Sequence, residues 1–91
     1  MSNQARVVVY SAVYCRWSWR ARRLLDDAGI EYEVRDITID RAERQRLARE
    51  TGRRTVPNVF IDGVSIGGFD ELAVLERTGE LARRLTSPRS S

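Results

Sequence analysis

The run from Arg6 to Ser11 (RVVVYS) is apolar at consecutive positions and rich in β-branched residues. That pattern predicts a strand covered on both faces. A short loop, Ala12–Tyr14, follows. From about Cys15 to Ala28 the apolar residues Ala21, Leu24, Leu25 and Ala28 fall at i, i+3, i+4 and i+7, which predicts a helix with one buried stripe that Gly29 stops. Glu31–Ile37 (EYEVRDI) alternates polar and apolar, so a second strand is expected with Tyr32, Val34 and Ile37 on one side. Asp40 can cap a helix over Arg41–Thr51 that ends at Gly52. Its apolar face is thin, with little beyond Leu47 and Ala48, so it is expected to pack loosely at the surface. A strand over Asn58–Ile61, the tight-turn pair Asp62-Gly63 and a return through Val64–Ile66 make a hairpin. Gly67-Gly68 breaks that strand. Asp70 can then cap a last helix to about Thr78 with Leu72 and Leu75 inward, and Leu81 and Leu85 add a final turn or two. Ser87–Ser91 is expected to fray.

The order β-α-β-α-β-β-α predicts an α/β sandwich with a mixed four-stranded sheet flanked by helices. A helical crossover between the first two strands favours a parallel, right-handed pairing, and the hairpin closes the sheet. At 91 residues the chain is one small domain without repeats. No apolar run approaches the roughly 18 residues of a membrane span, and the start MSNQAR has no signal-peptide pattern, so a cytoplasmic protein is expected. All 16 basic residues are arginine, a bias nothing in the fold demands. The net charge of +3 is modest, acids are interspersed among the arginines and no nucleic-acid motif occurs, so neither nucleic acid nor membrane is an expected partner. A monomer is expected.

With no histidine and one cysteine, a zinc finger and an internal disulfide are both excluded. The chemistry therefore rests on Cys15. At a helix N-terminus, unpaired N–H groups and the helix dipole favour a thiolate over a thiol, and Arg16 adds a positive charge. Three residues on, where a redox pair would carry a second cysteine, stands Ser18, whose hydroxyl and N–H can donate toward the sulfur. The plainer alternative is that Cys15 is a small buried hydrophobe.

Strand–Cys15-x-x-Ser18–helix, then Thr55-Val56-Pro57, then Gly67-Gly68-x-Asp70 resembles the glutaredoxin family of the thioredoxin-like fold. The likeness runs from about Val7 to Leu85, through VYC, RARRLLDDAGIEYE, GRRTVPNVFIDG and IGGFDEL. It implies a glutaredoxin domain over residues 1–86 with a disordered tail at 87–91. It implies a glutathione-dependent oxidoreductase that reduces glutathione mixed disulfides on proteins or small thiols by a monothiol route through Cys15. Glutathione is the implied cosubstrate. Tyr14, Arg44, Thr55, Val56, Pro57, Gly68, Phe69 and Asp70 are its implied binding residues, with Cys15 and Ser18 at the reacting centre. A cis Val56–Pro57 bond would leave the Val56 backbone free to pair with the cysteinyl part of glutathione, where an ordinary turn would be trans. N–H groups at Gly68, Phe69 and Asp70 would take the γ-glutamyl carboxylate and Asp70 its ammonium; otherwise Asp70 is a plain helix cap.

Two positions depart from the family. Ala12 stands where a lysine commonly meets the glycine carboxylate of glutathione, so binding is expected to weaken or to pass to Arg44, Arg53 or Arg54. Each of these is otherwise a solvated arginine. Phe69 stands where many relatives have cysteine and is expected only to pack. Trp17 is expected exposed beside the sulfur and Trp19 packed at the rim, unless both are simple helix anchors. Two other functions stay open. One is a dimer binding a [2Fe–2S] cluster through Cys15 and glutathione, although CRWS is not the CGFS motif of dedicated carriers and the loop before Pro57 lacks their insertion. The other is a dithiol glutaredoxin whose second cysteine has been replaced by Ser18.

Overall fold

In a computed structural model, which describes residues 6–53 and 55–86, the first apolar run becomes β1 (Val7–Ser11) at an inner position of the sheet. Beside it run β2 (Glu33–Asp36), parallel, and β3 (Asn58–Ile61), antiparallel; β4 (Val64–Gly67) pairs antiparallel with β3, giving the order β2-β1-β3-β4. The helices are α1 (Arg16–Asp27), α2 (Arg41–Thr51), α3 (Phe69–Arg77) and α4 (Glu80–Thr86). The mixed sheet flanked by helices is thus the architecture expected. The end of the chain forms a separate α4, set off from α3 by Gly79 at φ +82°.

Successive residues of β1 point to opposite faces. Val7 and Val9 join Ala21 and Leu25 of α1, Leu72 of α3 and Leu81 of α4 in the larger core. Val8 and Tyr10 face the other way, toward Leu47 of α2, Ile37 and Phe60. Three helices therefore cover one face and α2 alone the other. The second layer is completed by electrostatics. Arg46 pairs with Glu43 and Glu50 and reaches the Tyr10 hydroxyl at 3.3 Å. As expected, Leu47 is the one buried residue of α2, and Asp40 caps that helix by accepting from the Glu43 N–H at 3.0 Å.

Three local expectations are corrected. The second strand is shorter than Glu31–Ile37, and its flanks lie in different layers: Tyr32 packs on the larger core and Ile37 in the smaller. Alternation ends at Asp36, after which Ile37 turns to donate its N–H to the Ser11 carbonyl at 2.9 Å. The buried stripe of α1 sits one turn earlier than expected, on Ser18, Ala21 and Leu25, because Ala28 is already the exposed C-cap. The last helix is capped by Gly68, with Asp70 one position inside the first turn. Arg54 and the tail 87–91, named above, lie outside the described residues.

Candidate active site

Cys15 is the N-cap of α1, half-buried, with its backbone extended at φ −96° and ψ 114°. Its N–H donates to the Ala12 carbonyl at 3.1 Å, closing the loop that leaves β1. Side chains from the turn after β2 and from α2 hold the outside of this loop. The Val13 N–H donates to Thr38 Oγ1 at 3.0 Å, and Thr38 in turn donates through its hydroxyl and N–H to Asp36. Those two bonds hold the Asp36 carboxyl below the ordinary carboxylate range. Arg44 donates to the Tyr14 hydroxyl and, at 3.0 Å, to the Ile37 carbonyl, so it links α2 to the residue before the cysteine. Neither Asp36 nor Thr38 figured among the expected site residues; their D-x-T spacing is the signal, since a short acidic side chain can accept from the backbone two residues on.

The sulfur faces the segment before β3. Cys15 Sγ lies 3.4 Å from the Val56 carbonyl oxygen, to which the thiol donates, and the Val56–Pro57 bond is cis. That segment is braced by a buried polar chain. Ser65 donates to Asn58, Asn58 donates to Thr51 Oγ1, and Thr51 donates back to the Leu47 carbonyl. Thr51 Oγ1 also accepts the Arg53 N–H at 3.1 Å, which fixes where the Arg53 side chain begins.

Between this segment and α3 lies a small cleft of about 180 Å³, lined by Trp17, Arg53 and Glu71 together with the Thr55-Val56-Pro57 and Gly68-Phe69-Asp70 runs. Six of the eight expected binding residues meet here. Tyr14 and Arg44 lie on the other side of the cysteine loop, paired with each other. Backbone is exposed to the cleft because the glycines have no side chains. A Cβ on Gly68 would sit 3.1 Å from Arg53 and 3.3 Å from the Pro57 carbonyl. At the start of α3 the N–H groups of Phe69 and Asp70 have no acceptor within the helix.

Glu71 is a site residue that sequence reasoning missed. Its carboxylate accepts the Gly68 N–H at 2.7 Å and lies 3.7 Å from Arg53. The Gly68 N–H, then its own N–H, hold its carboxyl below the usual range against the opposing effect of burial. Glutamate three residues past a cap is the readable signal; the double glycine drew the expectation to Asp70 instead.

Ser18 is buried at 2% exposure, and its hydroxyl has no hydrogen-bond partner, so it does not donate to the sulfur. Ala12 is buried at 2%, and its contribution to the site is the carbonyl that takes the Cys15 N–H. Phe69 packs on the larger core and against Trp17, with ring centroids 5.6 Å apart. Trp17 is exposed as expected, but Trp19 is more so, at 58% against 48%. It points away from the core because the turn of α1 that buries Ser18 leaves position 19 outside. Among the described residues, no group of three or more metal-ligating side chains occurs and no helix is long and apolar enough to cross a membrane.

Known proteins resemble this chain in sequence and fold. The glutaredoxin family model matches residues 7–66. A glutaredoxin of Ricinus communis is 45% identical over 83 residues, covering 88% of this chain and 81% of its own length. Glutaredoxin 3 of Escherichia coli strain K12 is 36% identical over 77 residues, covering 85% of this chain and 93% of its own. Among solved structures, the buckwheat glutaredoxin–glutathione complex superposes with a TM-score of 0.84 at 38% identity, over 90% of this chain and 77% of that one. The holo form of glutaredoxin C1 from Populus tremula x tremuloides gives 0.84 at 39% identity, over 90% and 84%. A single cysteine at the head of α1, facing a cis-proline segment and a glycine-lined cleft, therefore sits in a chain that belongs to the glutaredoxin family.

Proposed function

We propose that this protein reduces glutathione mixed disulfides, on proteins or small thiols, by a monothiol route through Cys15. The observation that carries the reading is the cleft beside the sulfur: Val56 and Pro57 on one wall, Gly68 and Asp70 on the other, and Arg53 between them. An extended tripeptide laid against Val56 would bring its own sulfur to Cys15 and its γ-glutamyl carboxylate to the free N–H groups of α3. Arg53 lines the cleft with its guanidinium 3.7 Å from Glu71, a charge that an incoming carboxylate can share. Arg44, which donates to Tyr14 across the cysteine loop, is our candidate for the glycine carboxylate that the family lysine would take and Ala12 cannot. The solved buckwheat complex with glutathione supports the same ligand.

In the cycle, the Cys15 thiolate attacks the glutathione sulfur of the mixed disulfide. The old S–S bond breaks, its electron pair leaves with the substrate sulfur, and that thiolate takes a proton. Cys15 is now bonded to glutathione. A second glutathione thiolate attacks that glutathione sulfur, forming oxidised glutathione and restoring the Cys15 thiolate. The substrate gains two electrons and two glutathione units leave as one disulfide. No second protein thiol enters, which is the step at which Ser18 in place of cysteine has no effect. The cluster-binding and replaced-cysteine readings draw no comparable support from a particular contact.

The test is turnover of a glutathionylated peptide with reduced glutathione, beside mass spectrometry after exposure to oxidised glutathione. One glutathione should add at Cys15, and Cys15→Ser should abolish both adduct and turnover. Turnover that survives Cys15→Ser would end the proposal.

A further inference from the structure

A groove of about 790 Å³ lies outside the cleft, along the exposed side of α1 and against α3. Its charge is divided along its length. Near Cys15 stand Arg16 and Arg20, with Arg23 further on; Asp26, Asp27 and Glu76 close the far end. The orientation follows from the Trp17–Phe69 contact, which puts the first turns of α1 and α3 side by side, so Glu76 lies about 10 Å farther along α3. The acids at that end are partly engaged: Asp26 accepts from Tyr32 at 2.8 Å, and Asp27 lies 3.9 Å from Arg23. Among the described residues no carboxylate pairs with Arg16 or Arg20.

The two tryptophans of the chain flank this face, Trp19 lining the groove and Trp17 the neighbouring cleft. Each is exposed and each is covered by the arginine three residues on, Arg20 over Trp17 and Arg22 over Trp19, both at 4.6 Å from the ring centroid. Neighbours at i and i+3 share a helix face, so these stacks order the rings and hold the guanidinium groups in place before any partner arrives. A rigid aromatic surface with unpaired cations, at the lip of a reactive sulfur, suits an acidic peptide segment. Arginine and tryptophan are also the residues that most often dominate binding at interfaces.

We infer that the face formed by Arg16, Trp17, Trp19, Arg20 and Arg23 recognises acidic residues next to the glutathionylated cysteine of a protein substrate. The inference rests on the function proposed above and names the substrates it favours. Reach sets the spacing. Arg20 and Arg23 lie about 7.5 and 12 Å along the helix from Cys15, and an extended peptide advances about 3.3 Å per residue. Acids two to four residues from the modified cysteine therefore meet the arginines. An acid about seven residues away, roughly 23 Å on, lies past Asp26 and Asp27 at the end of α1, meets no arginine of this face and gains nothing.

The experiment compares glutathionylated peptides with Asp at two to four residues from the cysteine, with Asn there, with Lys there, and with Asp seven residues away. The acidic near-site peptide should exceed the Asn peptide about fivefold in kcat/KM at low salt, as two exposed ion pairs allow. About 0.5 M salt should bring the ratio below two. The variant R20Q/R23Q should bring it to one while a small glutathionylated thiol is turned over as before, and R20E/R23E should reverse it in favour of Lys. A second readout needs no turnover. Peptides with serine in place of the modified cysteine are titrated against the fluorescence of Trp17 and Trp19, with the acidic one binding more tightly and R20Q/R23Q erasing the difference. Loss of small-thiol turnover would overturn the proposed function and leave the titration to judge the surface. Equal binding of acidic and Asn peptides, or a preference that survives R20E/R23E, would overturn the inference.

Discussion

Glu71 ties the stability of α3 to the charge of the cleft, and its replacement separates the two effects. Its carboxylate takes the Gly68 N–H at 2.7 Å, one of the donors that the start of a helix leaves without an acceptor. Glu71→Ala removes that bond and should cost about 1 kcal/mol, the ordinary value of a capping contact. With the side chain 48% exposed, solvent keeps the loss from rising far above this. In a domain of this size 1 kcal/mol lowers the melting temperature by about 4–8 °C. The Gly68 bond also holds the carboxyl below its usual range, so the folded state binds this proton more weakly than the unfolded chain does. Its contribution is therefore full above the unfolded value of about 4.3 and is lost as pH falls through the lower folded value. The stability difference between wild type and Glu71→Ala should be flat at neutral pH and close on acidification. Glu71→Gln keeps an acceptor at Gly68 and removes only the charge facing Arg53. It should cost less than half as much stability, and it should lower KM for a glutathionylated substrate two- to fivefold by freeing Arg53 for an incoming carboxylate. Urea unfolding from pH 3 to 7 and steady-state kinetics read both arms. A pH-independent difference, or a KM that rises in Glu71→Gln, would refute the reasoning.

Other expectations follow from single contacts. Ser18→Cys should leave stability unchanged or raise it by up to about 1 kcal/mol in reducing conditions, because a thiol in place of the buried, unpartnered hydroxyl is easier to keep from water; chemical denaturation measures it. Leu47→Ala removes the only buried residue of α2 and should cost about 2–3 kcal/mol, with hydrogen-exchange protection falling most in that helix. Gly67→Ala meets φ +108° and a Cβ 2.7 Å from Glu71 Oε1; it should lose more than about 1 kcal/mol, and only part of that should return in a Glu71→Ala background, since the backbone conformation stays unfavourable. Thr38→Val deletes the oxygen that accepts the Val13 N–H and should cost about 1 kcal/mol, with the Asp36 carboxyl titrating closer to its ordinary range by NMR.

Elements bounded by strong local signals were legible. The helix Arg41–Thr51 lies between an aspartate cap and a glycine stop, and its observed ends agree. The strand Asn58–Ile61 lies between Pro57 and Asp62-Gly63, and it too agrees. What escaped depends on a third body. Tyr32 and Ile37 read as apolar ends of one run, but five residues apart they fall on opposite faces of a strand, and the Ile37 N–H is taken by Ser11 at the end of β1. Ala28 continues an apolar stripe on paper, while the sheet stops supporting α1 one residue earlier and buries Ser18 at the other end. In the site, Val56, Pro57, Gly68 and Asp70 meet in one cleft, as the family resemblance implied. The side chains beside them, Glu71, Thr38 and Asp36, act through backbone N–H groups, and their only marks in the chain are short local ones, a glutamate three residues past a cap and a D-x-T spacing.

That division bears on how the site can change. The sulfur of Cys15 is set by backbone: the Ala12 carbonyl takes its N–H, the Val56 carbonyl takes its thiol proton, and the first turn of α1 lies beneath it. Side chains enter one step removed, where Thr38 in the turn after β2 and Arg44 of α2 grip the loop. Arg16 and Trp17, inside the Cys15–Ser18 turn, point outward and hold nothing of the loop in place. Residues at those two positions can change without moving the sulfur, whereas Thr38 and Arg44, more than twenty residues away in sequence, cannot. The reactive geometry therefore belongs to backbone around Cys15 braced by the turn after β2 and by α2, while Arg16 and Trp17 face outward beside it. Ser18 lies on neither side of that divide: it is part of the core, and its hydroxyl touches neither the sulfur nor the cleft.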